Sequence, residues 1–98
     1  MKYSFTIKKT HPSLKGHFPG NPIVPGVVIL DEVIQIIKTV KPDFTIKALP
    51  IVKFTQPLLA EQNVHVEIKQ KKDTAISFSC TYNDIKLATG QLTLEPLS

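Results

Sequence analysis

One histidine and one carboxylate on the same stretch of sequence are the residues of this chain best suited to proton transfer. His17 lies within Gly16–Asp31, a segment that holds three of the four glycines and three of the eight prolines, and Asp31 ends it. Free imidazole has a pKa of about 6.5, so a neutral histidine can accept a proton near physiological pH. A nearby carboxyl group can orient or protonate a leaving hydroxyl. The two residues therefore predict general acid–base chemistry.

The backbone between these two residues is predicted to be rigid and then helical. Proline and glycine at this density force an irregular backbone of fixed shape, and Pro25 suits the start of a helix. The unpaired N–H groups of a first helical turn attract negative charge. Because Gly26 has no side chain to block an approaching ligand, we expect its amide to stabilise a developing oxyanion.

Each of these residues also has a simpler explanation. A lone loop histidine is usually only a hydrogen-bonding residue, and an aspartate near a helix start often only complements the helix dipole. Asp31 follows Val28, Ile29 and Leu30 in sequence, and a charge buried among them would be costly without a function. Glu32 is the competing carboxylate and is expected to face solvent.

The other reactive side chains give weaker signals. His11 is an accessory candidate near the site, and His65 is expected to be exposed on the polar side of a strand. The dispersed histidines show no ligand spacing, so we expect no metal ion and no cofactor. Cys80 is the single cysteine and belongs to an apolar alternation that is typical of a core. Gly16–Gly20 lacks the Gly-Lys-Ser/Thr ending of a phosphate loop.

Length and hydropathy indicate one globular domain over residues 1–98. Apolar residues make up 42% of the chain, which argues against disorder. The longest apolar run, Ile23–Val40, is short and carries charges, so we expect no membrane segment. Met1–Phe5 shows no apolar signal-peptide region. A cytoplasmic protein is the simplest interpretation.

Charge favours an acidic protein partner over nucleic acid. The net charge is +4, and all twelve basic residues are lysines. Proteins that grip phosphates or bases rely on arginine forks, so nucleic-acid binding is disfavoured. Lys8, Lys9 and Lys15 lie beside the proposed site in sequence and are the candidates for docking an acidic carrier. A basic surface that only provides solubility is the alternative.

Periodicity predicts one strand, a rigid loop, one helix and four further strands. The helix is expected over Gly26 to about Val40, with apolar residues around most of its circumference, and it must end before Pro42. The strands are predicted by alternating apolar residues, and the last three are separated by short turns that indicate an antiparallel meander. The predicted strands are 3–9, 46–55, 63–69, 75–82 and 85–94, with the loop over 10–25.

A single apolar helix needs a sheet around it, so the predicted class is α+β. The expected architecture is the hotdog fold, in which a curved antiparallel sheet wraps around one central helix.

The segment from Gly16 to Asp31, Gly-His-Phe-Pro-Gly-Asn-Pro-Ile-Val-Pro-Gly-Val-Val-Ile-Leu-Asp, resembles the active-site segment of the 3-hydroxyacyl-[acyl-carrier-protein] dehydratases of fatty acid synthesis. Residues 53–58 look like the strand after the helix in those enzymes, and residues 83–88 look like their last hairpin. The compact size is similar to dehydratase-like domains of specialised lipid and polyene pathways.

This resemblance implies a catalytic pair and a homodimer. The family's histidine falls on His17 and its acid on Asp31, each site being built from the histidine of one subunit and the acid of the other. Acyl carrier protein or its acyl-phosphopantetheine is the implied partner. The expected reaction is dehydration of a 3-hydroxyacyl thioester, with Gly26 as oxyanion donor. Further residues are expected to bind substrate: Phe18, Pro19, Gly20, Pro25, Val27 and Val28.

Two departures from the family pattern keep a second function open. The chain is shorter than the usual member, and Leu59-Ala60-Glu61 stands where the family usually has Pro-Gly-Asp. An acyl-thioester hydrolase or a non-catalytic acyl-thioester-binding module is therefore the alternative.

Overall fold

Over the described residues, the fold is one antiparallel sheet with one long helix. The computed structural model describes residues 2–14 and 23–97. The elements follow the chain in the order β1 (Lys2–Thr6), a 3-10 turn (Pro12–Leu14), α1 (Gly26–Val40), β2 (Phe44–Phe54), β3 (Asn63–Lys72), β4 (Ala75–Tyr82) and β5 (Ile85–Pro96).

The sheet has five strands in the order β1-β3-β4-β5-β2, and every neighbouring pair is antiparallel. The last three strands form the predicted meander, which is confirmed. Asn83 and Asp84 make its second turn with φ of 50° and 64°, as a two-residue hairpin requires. The helix carries the chain from β1 at one edge to β2 at the other. Pro50 is tolerated in β2 because an edge strand needs fewer ladder donors.

The helix ends are set by prolines and by charge. Pro25 precedes the first turn with extended backbone, φ −60° and ψ 144°. At the other end the amide of Lys41 donates to the carbonyl of Ile37 at 2.8 Å, and Pro42 follows, which cannot continue the hydrogen-bond ladder. Lys38 in the last turn complements the negative end of the helix dipole.

The core lies between α1 and the inner face of the sheet. Four helix residues are buried, namely Val28, Ile29, Val33 and Ile37. From the strands, the alternate residues of β3, β4 and β5 complete the same cluster, as the period of two predicts. Within the single chain the helix is buried on part of its circumference, whereas the sequence predicted burial on nearly all of it. Asp31, Gln35 and Lys38 are exposed.

The strand boundaries differ from the prediction mainly at solvent-exposed ends. β3 continues to Lys72 and β5 to Pro96, beyond the last buried residue of each strand. β1 ends at Thr6, although Ile7 after it is buried. Within the described residues, no helix is both long enough and apolar enough to span a membrane.

Candidate functional site

A cavity of about 350 Å³ opens beside the first turn of α1. Its wall is formed by Val24 before the helix, by the first turn of α1, and by the last residue of β2 with the segment that follows it. The lining residues are Val24, Gly26, Ile29, Phe54, Thr55, Gln56, Pro57 and Leu58. Apolar side chains with a few polar groups are the usual lining of a small-molecule site.

Hydrogen bonds of the main chain fix this cavity's walls. The amide of Val24 donates to the carbonyl of Leu58 at 2.8 Å, and the amide of Thr55 donates to the carbonyl of Leu87 at 2.8 Å. The Thr55 hydroxyl also donates to the carbonyl of Lys86 at 2.7 Å. The helix start and the end of β2 are therefore both held in place on either side of the cavity.

The helix start carries backbone donors beside this cavity. The carbonyl of Pro25 accepts hydrogen bonds from the amides of Val28 at 3.0 Å and Ile29 at 3.4 Å. The amides of Gly26 and Val27 precede these first intrahelical donors, and among the described side chains none caps this end. Gly26 is thus both part of the cavity wall and part of the electropositive end of the helix.

Asp31 lies on a different side of the helix from Gly26. Five residues correspond to about 140° around the axis and about 7.5 Å along it. In the single chain Asp31 is exposed, Glu32 is half-buried, and neither lines the cavity at the helix start. The prediction that Glu32 is the more exposed acid is therefore wrong for the single chain, because the apolar neighbours of Asp31 in sequence cover another face of the helix.

Val27 shares the exposed face of Asp31. The two residues are four positions apart, so they are neighbours on the helix surface, and Val27 is 64% exposed. Pro25 is half-buried, while Val28 is 3% exposed and belongs to the core. Gly26, the predicted oxyanion donor, lines the cavity, and the predicted substrate-binding residues Pro25, Val27 and Val28 adjoin it in sequence.

The loop part of the predicted site is not covered by the structure. His17, Phe18, Pro19 and Gly20 lie outside the described residues, as does Lys15. Lys8 and Lys9 are described and exposed.

The remaining histidines and the cysteine lie away from this cavity. His11 is half-buried before the 3-10 turn, and His65 is exposed, as predicted. Cys80 is fully buried, which confirms its place in the core, and burial raises the pKa of its thiol to about 12.

A second depression, of about 460 Å³, lies on the outer face of the sheet. Lys2, His65, Glu67 and Thr81 are among the residues that line it. These side chains alternate with the buried residues of their strands, so they point away from the helix. None of the predicted catalytic residues that the structure describes belongs to it.

Sequence reasoning missed the β2 side of the cavity. Phe54, Thr55 and Gln56 were assigned only to a strand and its end. Phe54 lies on the same face of β2 as Val52, two residues earlier, and this alternation was the available signal. Its closeness to the helix start depends on how β2 pairs with β5, which periodicity alone does not give.

Solved structures of known proteins share this fold. The dehydratase heterocomplex ApeI:P from Xenorhabdus doucetiae contains a chain that superposes with a TM-score of 0.82 at 24% identity, covering 95% of this chain and 84% of that one. An acyl-CoA hydrolase from Staphylococcus aureus superposes with a TM-score of 0.73 at 12% identity, covering 100% of this chain and 66% of that one. The predicted hotdog fold is confirmed.

The family follows from the sequence match. The ApeI-like family, described as ApeI dehydratase, matches residues 1–91, and the chain belongs to this family. A 3-hydroxyacyl-[acyl-carrier-protein] dehydratase FabZ from Chloroflexus aggregans is 52% identical over 29 residues. That alignment spans 30% of this chain and 20% of the FabZ protein. The predicted membership of a dehydratase family of hotdog fold is confirmed.

Proposed function

We propose that the protein dehydrates a 3-hydroxyacyl thioester to the trans-2-enoyl thioester. The observation that carries the proposal is the cavity at the start of α1, which has Gly26 in its wall. The dehydratase family match over residues 1–91 supports the same reaction. Elimination of water from such a thioester needs a base for the α-proton, a donor for the thioester oxygen and an acid for the leaving hydroxyl.

The chemistry assigns one residue to each requirement. His17 removes the α-proton as a neutral imidazole, and the electron pair moves into the thioester carbonyl. The first-turn amide of Gly26 donates to the resulting enolate oxygen, where it adds to the helix dipole. Collapse of the enolate forms the double bond and expels the β-hydroxyl, which leaves as water with a proton supplied through Asp31.

The position of Asp31 supports a site built from two chains. Asp31 is exposed and turned about 140° around the helix from Gly26, so it does not reach its own chain's cavity. We therefore place the Asp31 carboxyl of one subunit at the cavity of a second copy. The exposed apolar side chains of Val27 and Ile23, at 64% and 57% exposure, provide surface that a second copy would cover.

The acyl group is proposed to arrive on an acidic carrier protein. The net charge of +4 and the exposed Lys8 and Lys9 favour such a partner over a neutral one. The neighbour from Xenorhabdus doucetiae is part of a dehydratase heterocomplex, which supports assembly with a further chain.

The test is incubation of the purified protein with a 3-hydroxyacyl thioester and, separately, with the matching saturated acyl thioester. We expect enoyl thioester from the first and no reaction with the second. The His17→Ala variant should lose at least about 100-fold in rate, the usual contribution of a general base. Its far-ultraviolet circular dichroism spectrum should stay unchanged, because the fold is kept. Free thiol from both substrates would instead indicate the hydrolase activity, and turnover by His17→Ala near the normal rate would refute the mechanism.

A further inference from the structure

Phe54 occupies a fixed position at the end of β2. It pairs with Ala88 of β5, and the next residue, Thr55, is tied to β5 through both its amide and its hydroxyl. With the backbone held at and just after this position, the ring cannot move away without a change of rotamer. Phe54 therefore has a defined place in the cavity wall.

The Phe54 ring lies directly against the first helical residue. A Cβ atom added to Gly26 would lie 2.8 Å from Cζ and 3.1 Å from both Cε1 and Cε2 of this ring. Ordinary carbon contacts are longer, at about 3.5–4.0 Å. Between the ring and the helix start there is consequently no room even for a methyl group.

The same side chain is about half exposed and lines the cavity. Phe54 is 48% exposed in the single chain and shares the cavity lining with Val24, Ile29 and Leu58. Large apolar side chains left open beside a cavity are natural contacts for an apolar ligand. A ligand whose oxygen meets the Gly26 amide must therefore place its adjoining carbon atoms beside this ring.

We infer that Phe54 determines substrate specificity by excluding acyl groups that are branched next to the thioester carbonyl. This inference rests on the proposed dehydratase function. The ring restricts the cavity beside the first turn of α1 to slender chains, and in this rotamer it leaves no space for a side chain at Gly26. A 2-methyl branch would meet the ring, whereas an unbranched chain would pass along it.

The test compares two small thioesters in wild type and variants. The N-acetylcysteamine thioesters of 3-hydroxybutyrate and 2-methyl-3-hydroxybutyrate both keep an α-proton, so both can be dehydrated. Wild type should prefer the unbranched substrate in kcat/KM. In Phe54→Ala the preference should fall by about tenfold or more, the usual effect of one methyl group in an apolar pocket. Phe54→Leu should give an intermediate ratio.

Ile85→Ala is the matched control. Ile85 is a similarly exposed apolar residue, at 54%, and it does not line this cavity. The substrate preference of the Ile85→Ala variant should therefore equal that of wild type. An unchanged preference in active Phe54→Ala and Phe54→Leu would overturn the role of Phe54. Absence of enoyl product from wild type with both substrates would overturn the proposed function instead.

A double-mutant cycle tests the ring contact without any activity. Gly26→Ala should lower the melting temperature of wild type by about 4–8 °C, which corresponds to roughly 1 kcal/mol in a domain of this size. In the Phe54→Ala background the same substitution should cost little, because the ring is gone. Equal losses in both backgrounds would show that Phe54 is not what excludes a side chain at Gly26.

Discussion

Glu61 holds together two segments that are distant in sequence, and its own backbone adopts an unfavourable conformation to do so. Its amide donates to the carbonyl of Ile7 at 2.7 Å, and its carboxylate accepts from the amide of Lys9 at 2.6 Å. Both contacts fasten the segment that leads toward His17 in sequence to the turn before β3. To make them, Glu61 adopts a φ of 69°, which is unfavourable for a residue with a side chain.

We expect Glu61→Ala to be less stable than Glu61→Gly. Both variants lose the bond to Lys9, worth about 1 kcal/mol, but alanine keeps the left-handed strain, about 1–2 kcal/mol, that glycine relieves. Urea unfolding of the two variants measures the difference. The side-chain amide oxygen of Glu61→Gln still accepts a hydrogen bond, so the free energy of unfolding of this variant should lie closer to wild type than that of Glu61→Ala. An alanine variant as stable as the glycine variant would contradict this account.

Cys80 illustrates the opposite case, a titratable group that contributes through packing. Its burial raises the pKa of the thiol from 9.0 to about 12, so the native protein should resist thiol reagents and react only when unfolded. The raised value also makes stability depend on pH. Below pH 9.0 the thiol's contribution to the free energy of unfolding is fully present. This contribution is lost as the pH rises toward 12, because the thiol ionises first in the unfolded chain.

The check is chemical unfolding of wild type and Cys80→Ala across this alkaline range. The lysines titrate in both proteins, so their contribution cancels in the comparison. Wild type should lose more unfolding free energy than the variant as the pH rises. Parallel pH profiles for the two proteins would argue against a perturbed thiol.

At the scale of the elements, Gly90 is where β5 accommodates an aromatic ring. Gly90 lies opposite Phe78 of β4, and a Cβ atom there would lie 2.6 Å from Cε1 of Phe78 and 2.9 Å from the carbonyl oxygen of Ile51. Gly90 and Phe78 are buried, so displacing either the ring or the backbone would cost free energy in the close-packed core.

Gly90→Ala should therefore destabilise the protein by about 1–3 kcal/mol, the usual cost of overpacking a core. Gln91→Ala, one residue further on the exposed outer face, is the matched control and should change stability by less than about 0.5 kcal/mol. Thermal or urea unfolding measures both. Similar stabilities for the two variants would mean that the sheet can shift at Gly90.

The sequence was sufficient to predict the helix and the strands because their patterns are local. Pro25 and Pro42 bound the helix, and alternating residues such as those of β4 identify the strands. The exposed ends were not predicted correctly. At the end of β3, for example, Gln70 and Lys72 pair with Ile76 and Ala75 of β4 but are themselves exposed. Pairing with a neighbouring strand, rather than burial, keeps them extended.

The site was predictable only where it follows the chain locally. Gly26 follows from a proline and an apolar helix, and the structure places it in a cavity wall. Phe54 comes from a strand at the other edge of the sheet, so its contact with Gly26 depends on the complete fold. The exposure of Asp31 was misjudged for the same reason, since neighbours in sequence do not show which face of a helix is covered.

At the scale of the whole molecule, the described part of a single chain leaves apolar surface exposed at one sheet edge and on one helix face. β2 is an edge strand whose exposed side chains include Leu49 and Ile51, and such an edge favours pairing with another chain. The helix face that carries Val27 and Asp31 is also open. In the dimer proposed above, a second copy covers this helix face, and Asp31 lies at the cavity of the partner subunit.

This arrangement predicts that two inactive variants restore activity when combined. His17→Ala and Asp31→Ala homodimers should each be inactive, since each lacks one member of every catalytic pair. A mixed dimer keeps one intact pair, formed by His17 of one subunit and Asp31 of the other. With random exchange, half of all dimers are mixed, and each mixed dimer has one working site out of two. An equal mixture should therefore recover about a quarter of wild-type activity.

The measurement is dehydration rate after unfolding and refolding the two variants together, with light scattering to verify the dimer. Separate refolding of each variant, followed by mixing without exchange, is the control and should stay inactive. If each site were built within one chain, no mixed dimer would contain a complete pair, and co-refolding would restore nothing. A verified dimer without recovered activity would therefore place both catalytic residues in the same subunit.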